Sequence, residues 1–426
     1  MSTIAFEQLA HAAFTYPAID NHTHPLLSAL HKNDFAFEGL VSEAQGSALT
    51  EDAIHTLSCY RATRQLSELY GCADNWEAVK EKRGLLQYPE LCKMNMERTG
   101  IQCLLLDDGL DDEGICEDIN WHDQFSSSPS KRIIRIEIIA QNILKEQFVQ
   151  KYLPVTINTA SSLLSTFSTA FDEELTKAAQ DPLIAGYKSI VCYRTGLDVY
   201  PSSASLEDIE ESLMRAMSLY LQTGRLWLAE KHFNDYLVRI TMEIAGKYKK
   251  PVQFHTGLGD SDITLTRSSP AHLQPLLSAF PNTPVILLHS SYPFTREAGY
   301  LAAVYRNVYL DFGEIFPLVS KEGQRNVLRQ VLELCPTNKI LWSTDGHWWP
   351  ETYYLGTIQA REVLYEILAE SVGRSELTEQ QAVGIVHRVL FENSNRIYSL
   401  GLEPDLELGE EAAKKWAKVL SNVFEK

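Results

Sequence analysis

The 426-residue chain has no apolar run near the roughly 18 residues a membrane helix requires, so no membrane-spanning role is expected. Its first twenty residues lack a basic opening and an uninterrupted apolar stretch, which reads against a secretory signal peptide. Basic residues are scarce: 38 Lys and Arg stand against 56 Asp and Glu, a net charge of −18. Phosphate binding rests on clustered Lys and Arg, so neither nucleic acid nor an anionic membrane is an expected partner. The seven cysteines, at 59, 72, 92, 103, 116, 192 and 335, form no C-x-x-C pair and no regular framework. That excludes a disulfide scaffold and points to reduced thiols in the cytoplasm. A dinucleotide fingerprint is missing too, since Gly257-Leu258-Gly259 lacks the third glycine. There is no internal repeat, low-complexity tract or interdomain linker. What remains is an acidic, soluble chain, 45% hydrophobic and 22% charged, able to bury a large core.

Along the chain, short β-rich runs alternate with longer helical patterns. Eight runs read as buried strands: 18–20, 101–106, 132–136, 187–192, 252–254, 285–288, 308–310 and 340–342. Each is short, apolar and often β-branched, as strands covered on both faces are. Turn signals such as Lys249-Lys250-Pro251 and Asn282-Thr283-Pro284 precede most of them. Between the strands, apolar residues recur three and four apart, as in the helix that opens at Ser205 and in the stretch from about 226 to 248. Strands alternating with helices imply parallel pairing through right-handed crossovers. Eight repeats predict an α/β fold, a (β/α)8 TIM-type barrel, with an open doubly wound sheet as the alternative. Residues from about 26 to 97 exceed one connection and predict a helical insertion after the first strand. Residues from about 404 to 426 predict a closing amphipathic helix. The whole, 1–426, reads as a single barrel domain.

The first strand ends in Asp20-Asn21-His22-Thr23-His24-Pro25. Side chains two apart on a strand point the same way, so His22 and His24 can reach one metal ion. Alone, an H-x-H pair is weak evidence. His255 closes the fifth apparent strand, His289 the sixth and Asp345 the eighth. Barrel enzymes build their sites from strand C-termini, so these separated segments are expected on one rim. Such a set at four strand ends is a specific signal. The other histidines, at 11, 31, 55, 122, 232, 272 and 387, read as surface or satisfied structural residues.

These residues, with Gly186-Tyr187-Lys188-Ser189-Ile190, Tyr193-Arg194-Thr195-Gly196-Leu197, Phe254-His255-Thr256-Gly257 and Ser343-Thr344-Asp345, resemble the amidohydrolase superfamily in its amidohydrolase-related branch. The resemblance is closest to the amidohydrolase-like half of FluG-type proteins, which carry it fused to a glutamine-synthetase-like part. That part has no counterpart in the 426 residues, so ATP-dependent ligation is not expected. The resemblance implies that His22, His24, His255 and Asp345 hold a divalent metal, zinc or alternatively manganese, as a single ion. His289 would polarise a substrate oxygen or exchange a proton, and Asp345 would accept a proton from water.

Lys188 has two readings. In binuclear relatives a lysine ending the fourth strand is carboxylated and bridges two metals, but the apolar run Ile190-Val191-Cys192 would leave Lys188 in mid-strand, as an inward-pointing cation. Arg194 suits a substrate carboxylate, with a structural salt bridge as the alternative. Asp107, Asp108 and Glu137, at the ends of the second and third strands, would orient ligands, with hydrogen bonding at the barrel rim as the alternative. Trp348 and Trp349 would wall a pocket, with one of them in the core as the alternative, and His347 lies near enough to touch it. The expected function is metal-dependent hydrolysis of an amide or related C–N bond in a small, carboxylate-bearing substrate. Non-oxidative decarboxylation on the same ligands and a non-catalytic regulatory barrel are the alternatives. A homodimer is the base-rate expectation.

Overall fold

Strands this short and apolar need cover on both faces, and most of their residues are buried. The computed structural model describes residues 6–110, 114–151 and 157–424. Its strands are β1 (Ala18–Thr23), β2 (Ile101–Asp107), β3 (Lys131–Arg135), β4 (Ile184–Ser189), β5 (Val252–Phe254), β6 (Val285–Leu287), β7 (Val308–Asp311) and β8 (Ile340–Leu341). They follow one another in a single eight-stranded sheet in chain order, the (β/α)8 barrel. Every residue of β1 and β2 is buried.

The chain divides into two compact units. The first comprises residues 1–131, 259–261 and 310–426. In it β1 pairs in parallel with β2, and β7 with β8. Beyond β8, the Asn21 amide donates to the Trp342 carbonyl at 3.3 Å and the Asp345 amide to the His22 carbonyl at 3.1 Å. The segment 26–97 carries helices Leu57–Tyr70, Trp76–Leu85 and Tyr88–Met96. The closing helix is Leu406–Phe424, and residues 425–426 of the expected span lie outside the described residues. Gly409 lets that helix lie against the chain after Glu7–Thr15, since a Cβ there would meet the Thr15 carbonyl oxygen at 1.7 Å.

The second unit comprises residues 132–258 and 262–309, with β3, β4, β5 and β6 paired in parallel. Three expectations are corrected here. The fourth strand is 184–189 rather than 187–192; the apolar run Val191-Cys192 buries itself in a short helical turn, Val191–Arg194. Glu137 does not end a strand but sits in the first turn of helix Ile136–Lys151. The helix expected from about 226 begins at Lys231, leaving Arg225 to Glu230 non-helical. Ser205 caps helix Leu206–Thr223 as its sequence predicts, accepting from the Asp208 amide at 3.1 Å.

Candidate metal centre

In the first unit, four consecutive residues of β1, Asp20 to Thr23, are polar and fully buried. Buried polar groups are costly unless hydrogen-bonded, and these are anchored. The Asn21 amide group donates to Asp311 Oδ1 at 2.9 Å and to the Trp342 carbonyl at 2.8 Å, and Thr23 Oγ1 donates to the Gly346 carbonyl at 2.7 Å. Asp20 accepts from the Thr344 amide at 2.9 Å and from its hydroxyl. Burial pushes the Asp20 carboxyl up to about 8, against the Thr344 hydrogen bonds that favour its charged form. These bonds tie β1 to the turn that carries Asp345.

On that frame His22 Nε2 lies 3.3 Å, and His24 Nε2 3.4 Å, from the same oxygen, Asp345 Oδ1. Four-coordinate zinc with donors at about 2.0–2.2 Å spaces neighbouring donors by about 3.3–3.6 Å. Each imidazole nitrogen therefore stands at the separation from Asp345 that shared coordination of one ion requires. His24 Nδ1 donates to the Asp107 backbone carbonyl at 2.7 Å, which fixes its tautomer and turns Nε2 inward. The orienting role expected of Asp107 thus falls to its carbonyl, while its carboxylate accepts from the Gly109 amide at 2.9 Å. His22, His24 and Asp107 also present ligand atoms within 4.8 Å of one another. Asp345 has φ 52 and Trp348 φ 55, left-handed conformations that cost non-glycine residues about 1–3 kcal/mol each and gather at functional sites.

Around Asp345, His347 is half-buried and its Nδ1 donates to the Asp345 carbonyl at 2.9 Å. Trp348 stacks on Phe35 with ring centroids 4.1 Å apart. Trp349 is 1% exposed and belongs to the core rather than to a pocket wall. Glu43 was not singled out by any motif. Burial pushes its carboxyl up, His347 opposes the rise, and the charges of Asp345 and Asp260 add to it. Only the fold of the 26–97 segment brings it to this neighbourhood.

In the second unit, the early end of β4 moves Lys188 to the penultimate strand position, in register with Arg135 and Gln253. Its side chain is 1% exposed, and Nζ lies 3.5 Å from His289 Nε2. The rings of His255 and His289 are 4.3 Å apart, and Tyr193 lies 4.5 Å from His255. His255 Nε2 donates to the Leu258 carbonyl at 2.7 Å, so Nδ1 is the atom of that ring with a lone pair for a metal. His289, Ser290 and Ser291 all have positive φ, at 67, 55 and 50. Gly257 makes room for that turn: at φ 76 its Cβ would meet the Tyr292 carbonyl oxygen at 2.4 Å.

Glu137 holds the end of β4, accepting from Ser189 Oγ at 2.7 Å and the Ile190 amide at 3.0 Å. Burial pushes its carboxyl up, with the Ser189 hydrogen bond opposing. Among the described residues, Arg194 makes no salt bridge of the kind offered as the alternative; its guanidinium lies 3.5 Å from the centroid of Trp227. Among the described residues, no helix is long and apolar enough to cross a membrane.

A family model described as "Amidohydrolase" matches residues 195–400, a span that includes His255, His289 and Asp345. Protein fluG of Emericella nidulans is 42% identical over 421 residues, 95% of this chain. The chain spans about half the length, 48%, of that curated relative. A candidate metal-dependent hydrolase from Lactobacillus casei superposes with a TM-score of 0.76 at 23% identity, covering 92% of this chain and 97% of the other. A uronate isomerase from Bacillus halodurans shares the fold, with a TM-score of 0.59 at 13% identity over 92% of this chain and 96% of the other. The chain is thus similar to the amidohydrolase family over residues 195–400 and to protein fluG along nearly its whole length, and it shares its barrel fold with the two solved structures.

Proposed function

We propose that this chain is a metal-dependent hydrolase that cleaves an amide or related C–N bond of a small carboxylate-bearing substrate. A single divalent ion would be held by His22, His24, His255 and Asp345, with zinc the choice that an imidazole-rich donor set favours and manganese the alternative. The observation that carries this reading is the convergence of two buried imidazole nitrogens on one oxygen of Asp345, at 3.3 and 3.4 Å. That His255 and His289 serve the same site is supported by their place at the ends of β5 and β6 in the barrel.

A bound divalent ion supplies Lewis acidity and brings the pKa of water from about 15.7 towards about 7. The protein's residues do the rest. Asp345 accepts the proton of the attacking water and returns it to the departing nitrogen. His289 donates a hydrogen bond to the carbonyl oxygen as negative charge develops there. Lys188 holds His289 by donating to Nε2, which makes Nδ1–H the donor. Arg194 binds a substrate carboxylate, and Trp348, braced by Phe35, covers the substrate.

The test is amine release from a panel of N-acyl amino acids by zinc- or manganese-loaded full-length chain. Release that stops on chelation and falls at least about 100-fold in Asp345→Asn supports hydrolysis. Carbon dioxide release without amine would overturn it in favour of decarboxylation, and turnover indifferent to chelation would remove the metal.

A further inference from the structure

The chain carries a net charge of −18, yet the second unit draws two arginines onto Trp227, with a third close enough to Arg194 to be felt. Arg135 ends β3, Arg194 closes the turn after β4, and Arg225 follows helix Leu206–Thr223. The guanidinium carbon of Arg194 lies 3.5 Å from the Trp227 ring centroid, and that of Arg225 lies 4.6 Å from it. Burial lowers the Arg194 pKa; Arg135 and Arg225 lower it further, while Glu137 and Asp262 oppose them. A single cation–π contact is ordinary. Two like charges drawn onto one ring, with a third close enough to be felt, are mutually repulsive unless an anion joins them.

Glu137 and Asp262 are near enough to oppose that repulsion, but neither is paired with Arg194. Oε1 of Glu137 is taken by Ser189 and Ile190 at the end of β4. Among the described residues, no carboxylate is hydrogen-bonded or ion-paired to the guanidinium of Arg194 or Arg225. A guanidinium drawn over an indole face can still grip a carboxylate through two parallel N–H bonds at its edge. Arg194 follows Tyr193 in the same short helical turn, and the Tyr193 ring lies 4.5 Å from that of His255.

We propose that Arg194 and Arg225, braced on Trp227, form a two-carboxylate clamp, so that the substrate is a dicarboxylate whose acidic groups lie away from the bond cleaved. The word substrate rests on the hydrolase reading; the clamp itself does not. Arg194 takes one carboxylate, Arg225 the other, and Arg135 adds positive potential behind them.

Calorimetric titration of the metal-loaded full-length chain with glutarate tests this, with butyrate as the one-carboxylate control. Glutarate should bind at least tenfold more tightly than butyrate, and Arg225→Gln, at an exposed position, should erase at least tenfold of that affinity. Arg194→Gln should do the same. Equal binding of the two acids would overturn the clamp, as would an unchanged glutarate affinity in Arg225→Gln or tighter binding of inorganic phosphate than of glutarate. Repeating the titration on chelator-stripped chain separates the two readings. Retained glutarate affinity with no amide turnover sinks the hydrolase and keeps the clamp. Metal-dependent amide turnover indifferent to Arg225→Gln does the reverse.

Discussion

His122 offers a pH-dependence of stability that can be worked from its surroundings. Its side chain is fully buried; Nε2 accepts from the Leu26 amide at 3.0 Å and Nδ1 donates to the Asp118 carbonyl at 3.0 Å. Burial pushes its pKa down from 6.5 to about 4, against the backbone carbonyls that favour the charged ring. A base depressed in the folded state binds fewer protons there than in the unfolded chain. Its contribution is therefore whole above about pH 6.5 and is lost as pH falls towards 4. At about 1.4 kcal/mol per pH unit the full loss is about 3 kcal/mol, of which about 2 kcal/mol disappears between pH 7 and pH 5. Gln in its place presents an oxygen acceptor and does not titrate. Urea denaturation of wild type and His122→Gln at pH 7 and pH 5 isolates the effect, because the other titrating groups are common to both chains. The wild type should lose about 2 kcal/mol more than the variant over that interval. Equal losses would refute the reasoning, since they would mean that His122 titrates alike in both states.

Other perturbations follow from packing. Glu351 is fully buried, paired with Arg83 at 2.5 Å and accepting from the Tyr70 hydroxyl at 2.7 Å. Glu351→Gln strands a buried guanidinium and should cost about 3–5 kcal/mol, read as a lower urea midpoint. Gly409→Ala drives a methyl into the Thr15 carbonyl and should cost at least about 1–3 kcal/mol, seen as a lower Tm. Gly257→Ala forces the β5 end off the 289–292 turn, so amide turnover should fall at least about tenfold in protein that remains folded by circular dichroism.

Much of the barrel was legible because its strands are buried on both faces and so are continuous apolar runs. The limit of that signal is β4. Ile190-Val191-Cys192 is as apolar as a strand, but it buries itself in a helical turn, and hydrophobicity alone does not separate the two. His22 and His24 were legible for a different reason: two-residue spacing on a strand aims both rings one way. Glu43 carried no such pattern, because its approach to Asp345 depends on how the 26–97 segment folds back. Trp227 was read as the start of a helix, whereas residues 225–230 are non-helical and bring Arg225 and Trp227 together. The carbonyl of Asp107, rather than its carboxylate, orients His24; backbone groups leave no trace in residue identity.

The most direct test of the central claim is the metal content of purified full-length chain by plasma mass spectrometry, with His24→Ala and Asp345→Ala in parallel. The donor separations predict about one equivalent of zinc or manganese in the wild type, lost in both variants, with far-ultraviolet circular dichroism unchanged. The same metal content in all three chains, or none in the wild type after reconstitution with either ion, would contradict the account.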